Sequence, residues 1–231
     1  MMIIDQLRQQ AITISDSEAR EAWMKSVEGL ESLRLTTKDA LRRALKEPRG
    51  DGSLACWALG NLRDDDAIPD LLEVLRRGDR FSFEAAKALR TISNPRSVPA
   101  LIEVLIADAP TVARQASAYV LGAFRQAEVE NALRAVLTDQ DQPPDVRAAC
   151  AEALGYGHFR DAFPALVDAT ADSSPEVRYW SVYALGELGD PAALPVVALR
   201  MSDPDRTSTG ASIAEEAERV CALLDERHAD E

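Results

Sequence analysis

The chain of 231 residues is 46% hydrophobic and 28% charged, enough apolar material for a sizeable core, which excludes a disordered polymer. Its 39 acidic and 26 basic residues leave a net charge of −13, a balance that repels nucleic acid and anionic membranes and suits basic partners. Three scattered cysteines (Cys56, Cys150 and Cys221), two histidines and no run near the roughly 20 apolar residues of a membrane span leave little room for a disulfide framework, a His-metal site or a transmembrane protein.

The chain opens Met-Met-Ile-Ile and turns polar at Asp5, without the long apolar core of a signal peptide, so a cytoplasmic protein is expected. Residues 2–11 pattern as a short amphipathic helix. Ser15-x-x-Glu18 is a capping-box signal for a second helix reaching about Leu33. Thr36 or Thr37 caps a third, over residues 38–46, expected to stop near Pro48 and Gly50. Residues 1–50 therefore read as a divergent first helix pair with an N-terminal cap.

From Asp51 onward one pattern recurs, anchored on Leu59, Leu89, Leu121, Leu154 and Leu185, at steps of 30 to 33 residues. Such regularity marks a repeat protein built from helix pairs. The first helix of each pair carries Ala58-Leu59-Gly60, Ala88-Leu89-Arg90, Val120-Leu121-Gly122, Ala153-Leu154-Gly155 and Ala184-Leu185-Gly186. Ten residues past the anchor come Pro69, Pro99, Asn131, Pro164 and Pro195. A proline there suits the first turn of the second helix, where its missing N–H would have had no partner anyway. Leu71-Leu72-x-Val74-Leu75 and its counterparts give that helix its buried face. A last helix over residues 212 to about 224, capped by Ser212-x-x-Glu215, has an acidic outer face that closes the stack, followed by a frayed tail.

Pro144-Asp145-Val146-Arg147 with Ala153-Leu154-Gly155, and Pro175-Glu176-Val177-Arg178 with Ala184-Leu185-Gly186, resemble short HEAT repeats of the subtype first named for phycobilisome lyases. The resemblance covers roughly residues 51–203 and implies an all-α fold. It would be a right-handed α-solenoid of about six antiparallel helix pairs with terminal capping helices. Residues 1–50 would form the divergent N-terminal part, 51–203 five repeats, and 204–231 the C-terminal cap and tail. Because the motif encodes packing, it is specific for fold and weak for function.

Arg114, Arg147 and Arg178 recur seven residues before the anchor Leu, a position-locked row expected to pair with acids of neighbouring repeats. Glu73, Glu103 and Asp168 recur four residues after the proline. In solenoids resembling HEAT arrays the second helices line the concave side, so these carboxylates, with Asp70, are candidates for attracting a basic peptide or domain. The fourth repeat departs from the pattern at Tyr156-Gly157-His158-Phe159-Arg160. Its aromatic and arginine side chains make Tyr156, His158, Phe159 and Arg160 candidates for a partner interface. Against that reading, Phe159 would swing inward to fill the volume lost at Gly157. Trp57, Tyr119 and Tyr183, with Tyr179 and Trp180 nearby, read as packing between helices.

No glycine-rich phosphate loop and no nucleophile with its base stand out, and no cofactor is expected. A weak carboxylate-only cation site stays open. The expectation is a non-catalytic scaffold or adaptor that binds a protein with a basic surface. The alternatives are an inhibitor or immunity-type protein masking an enzyme, or a chromophore-lyase subunit resembling the phycobilisome lyases.

Overall fold

Helix-forming runs broken by Gly, Pro and Asx turns give fourteen α-helices and no strand among the described residues, 3–47 and 52–229 of a computed structural model. Arg206 and Ser212 form an isolated antiparallel bridge. The chain divides into two compact units, Met1–Ala100 and Leu101–Glu231.

The first unit holds α1 (Ile3–Ile12), α2 (Ser17–Ser32), α3 (Lys38–Lys46), α4 (Gly52–Asn61), α5 (Ile68–Arg76) and α6 (Ser82–Ile92). Helix α1 packs on α2, α3 and α6 pack on α4, and α5 packs on α6. The N-cap of α2 is Asp16, not Ser15: it is the extended residue just before the first helical turn, and its carboxylate accepts from the Ala19 N–H at 2.7 Å. Thr37 caps α3, accepting from the Ala40 N–H at 3.1 Å. The stop expected at Pro48 and Gly50 lies outside the described residues.

Helix α7 (Val98–Ile106) straddles the division. The second unit continues with α8 (Thr111–Leu121), α9 (Ala127–Thr138), α10 (Pro144–Tyr156), α11 (Phe163–Ala169), α12 (Pro175–Leu188), α13 (Leu194–Ala198) and α14 (Ile213–Ala229). Helices α8, α10, α12 and α14 stack in that order, each on the next, while α9 packs on α10 and α11 on α12. Both units are thus stacked helix pairs, the arrangement of an α-solenoid. Pro69, Pro164 and Pro195 sit in the first turns of α5, α11 and α13, each preceded by a single 3-10 turn. The last helix runs to Ala229, longer than the expected end near residue 224, so part of the expected frayed tail is helical.

The repeat signature has a direct packing cause. All five anchor leucines are buried. A β-carbon added to Gly60 would lie 2.9 Å from the Ala88 Cα, and one on Gly155 only 2.5 Å from the Ala184 Cα. Gly122 meets Ala153 in the same way, at 3.2 Å. The glycine after one anchor therefore faces the alanine before the next, and neighbouring first helices approach almost backbone to backbone.

Candidate functional site

The recurring arginines are internal. Arg114, Arg147 and Arg178 are 7%, 2% and 7% exposed. Arg114 donates to the Leu105 carbonyl at 2.8 Å and to the Gln142 side chain. Arg147 grips Asp172 with both terminal nitrogens and donates to the Gln142 carbonyl at 3.3 Å. Arg178 donates to Asp203 at 2.8 and 3.2 Å, to Asp205 at 2.6 Å and to the Asp172 carbonyl at 2.9 Å. Each guanidinium thus reaches into the loop that follows its own helix pair, and the row ties successive loops together. Burial disfavours the charged form of Asp172, but hydrogen bonds from Arg147, the Ser174 N–H and Gln140 outweigh it and hold the carboxyl below its usual range. Asp203 is lowered in the same way: burial opposes ionisation, and Arg178 and the Asp205 N–H overcome it.

In the first unit Gly52 and Ser82 stand where these arginines would be. Among the described residues there, the internal charge is Asp64, 2% exposed, which accepts from Lys38 and Arg42 at 2.7 Å each. Its pKa is also lowered, burial being outweighed by those two cations. Asp64 escaped the sequence reading, although its slot, five residues past the anchor Leu, is marked. Asn94 and Asp190 occupy it elsewhere and accept from the N–H groups of Arg96 and Ala192 at 3.0 and 2.9 Å.

In the fourth repeat that slot holds Phe159, which is 5% exposed with its ring against Gly157. A β-carbon on Gly157 would lie 2.3 Å from the ring. Phe159 is therefore removed from the candidate surface: the missing side chain at Gly157 leaves a space that the ring fills. His158 has φ +51°, as Arg63 (φ 48°), Ser93 (φ 57°) and Gly189 (φ 69°) do at the same place in their turns. Its Nδ1–H donates to the Glu187 carbonyl at 3.0 Å, so the imidazole is tied to the next repeat. Tyr156, His158 and Arg160 are exposed.

Asp70 and Glu73 share α5. Asp70 is partly covered and paired with Lys46 at 3.1 Å, while Glu73 is exposed. In the second unit Glu103 on α7 and Asp168 on α11 are exposed, and Asp168 borders a groove of about 400 Å³ with Leu137, Thr138 and Ala165.

The second unit also holds a cleft of about 320 Å³ that was not anticipated as a site. Trp180 and Tyr179 of α12 line it, their rings edge to face with centroids 5.2 Å apart. Asp145 and Glu152 of α10 and Glu176 of α12 also line it. Glu176 accepts from the Ser208 N–H at 2.6 Å, which pins the loop before α14 against the cleft. The aromatic residues were legible in the sequence as helix packing. The loop that makes them one wall of a cleft was not.

Burial pushes the Cys56 thiol up to about 12 and raises that of Cys150 as well, so neither is poised as a nucleophile. Among the described residues no group of three or more His, Cys, Asp or Glu side chains is placed to hold a metal ion. No helix there is long and apolar enough to cross a membrane.

A family model described as HEAT repeats matches residues 52–122, 98–155 and 130–216. Over 98% of the chain the fold is similar to a chain in a structure of Kap95p binding to RanGDP, with a TM-score of 0.70 and 15% identity. The chain spans 33% of the length of that structure's chain. It is also similar to human deoxyhypusine hydroxylase in complex with glycerol, with 20% identity over 96% of both chains and a TM-score of 0.47. The CpcE–CpcF phycocyanin lyase complex of Nostoc sp. PCC7120 is similar at 22% identity over 96% of this chain and 93% of the other, with a TM-score of 0.45. No curated protein sequence matches the chain.

Proposed function

The chain belongs to the HEAT-repeat family, and from that premise we propose that it is a non-catalytic scaffold or adaptor that binds a protein with a basic surface. The observation that carries this reading is how the recurring charges divide. The position-locked cations Arg114, Arg147 and Arg178 are spent inside the fold. The position-locked anions Glu73, Glu103 and Asp168 stay exposed. With a net charge of −13, what remains outside favours and steers a basic partner. Masking of a basic enzyme would use the same carboxylates.

The test is capture of partners from native lysate on the tagged protein, at low and high salt, followed by Glu73→Lys/Glu103→Lys/Asp168→Lys. The expected result is a basic protein that elutes with salt and binds the triple variant several-fold more weakly, with helical content unchanged. Undiminished binding by the folded variant would overturn the reading.

A further inference from the structure

We propose that the cleft walled by Tyr179, Trp180, Asp145, Glu152 and Glu176 is a receptor for an arginine side chain of a partner segment. The inference deepens the protein-binding reading and rests on it. Three observations carry it.

The first is composition. Three carboxylates and two aromatic side chains line the cleft, and no Lys or Arg does so among the described residues. Arg219 of α14 lies 6.0 Å over the Tyr183 ring and is held by Glu216 through bonds of 2.6 and 3.0 Å. A cation is therefore the complementary occupant, because it gains both from ring faces and from carboxylates. A guanidinium suits this mixed wall better than an ammonium: its plane stacks on the face of one of the two perpendicular rings while its fork bonds carboxylates.

The second is size. At about 320 Å³ the cleft is at the small end of ligand pockets, which run from about 300 to 1,000 Å³. It suits a side chain inserted from a docked segment.

The third is the wall contributed by residues 207–211. Helix α13 ends at Ala198 and α14 begins at Ile213, so the repeat pattern is interrupted by a long connection. Long ordered connections in compact folds commonly carry function. This one is folded onto itself: the Thr207 N–H donates to the Ala211 carbonyl at 2.9 Å, and the Thr207 Oγ1 accepts from the Ala211 N–H at 3.0 Å. The Ser208–Glu176 bond then holds it beside Tyr179 and Trp180. The fold thus builds a cleft at the place where it departs from its own repeat.

The experiment is calorimetric titration of the full chain with tetra-arginine, tetra-lysine and tetra-glutamine peptides. Tetra-arginine is expected to bind at least about tenfold tighter than tetra-lysine. Asp145→Asn/Glu152→Gln and, separately, Trp180→Leu should each weaken it about tenfold. The first variant leaves the aromatic wall intact, which covers the case in which the second fails to fold. Equal affinity for the two cationic peptides would overturn the arginine assignment. Tetra-arginine binding that Asp145→Asn/Glu152→Gln leaves unchanged would overturn the cleft, and so would no binding at all. If Glu73→Lys/Glu103→Lys/Asp168→Lys alone abolishes binding, the cleft is rejected while the proposed function stands.

Discussion

Arg147 and Asp172 have side chains only 3% exposed, and each supplies the other's compensating charge. Removing one partner of such a pair leaves an uncompensated buried ion, whereas replacing both with apolar groups is often nearly neutral. Arg147→Ala is therefore expected to lower the unfolding free energy by about 3–5 kcal/mol. Arg147→Met/Asp172→Leu should recover most of that loss in urea unfolding. The row of arginines was visible as a sequence recurrence, but its partners were not, because Asp172 and Asp203 lie in loops 25 residues downstream. Phe159 makes the complementary point. Its composition suggested an interface, and the absent side chain at Gly157 drew it inside.

At the level of the helix, the Ala-Leu-Gly signature records how closely neighbouring first helices approach. Gly155→Ala would place a methyl 2.5 Å from the Ala184 Cα on α12, a backbone atom that cannot step aside. Gly122→Ala meets Ala153 of α10 at 3.1 to 3.2 Å, where a shift of a few tenths of an ångström suffices. Overpacking typically costs about 1–3 kcal/mol. Gly155→Ala is expected within that range and Gly122→Ala below it, read from denaturation midpoints at unchanged m. Equal losses at the two positions would show that α10 and α12 slide apart easily.

Across the whole molecule, buried carboxylates tie stability to acid. Asp64 in the first unit and Asp172 and Asp203 in the second all have folded pKa values below their unfolded ones. Their stabilisation is therefore complete above the unfolded aspartate value of about 3.9 and is lost as pH falls from there through the lowered folded values. Protonating surface acids acts oppositely, by relieving the repulsion of a −13 chain, but salt screens that effect far more than it screens buried pairs. The thermal midpoint at about 0.5 M salt should consequently drop as pH falls from 5 to 3. The drop should shrink in Arg147→Met/Asp172→Leu.

The amino-acid sequence alone determined the helix pairs, their period and the Thr37 cap, because these depend on residues close together in the chain. Anchor leucines, first-turn prolines and the glycine facing the next alanine repeat with the unit and can be read by aligning it with itself. Only the tertiary structure decided which acids are internal and which are outside, since Asp172 and Asp203 look no different in sequence from Glu73. It alone placed Asp64 between Lys38 and Arg42, decided between the two readings of Phe159, and folded residues 207–211 beside Trp180. The ion pairs of Asp64 and the loop beside Trp180 rest on contacts between residues more than twenty positions apart in the chain, which the period of the repeat does not reveal.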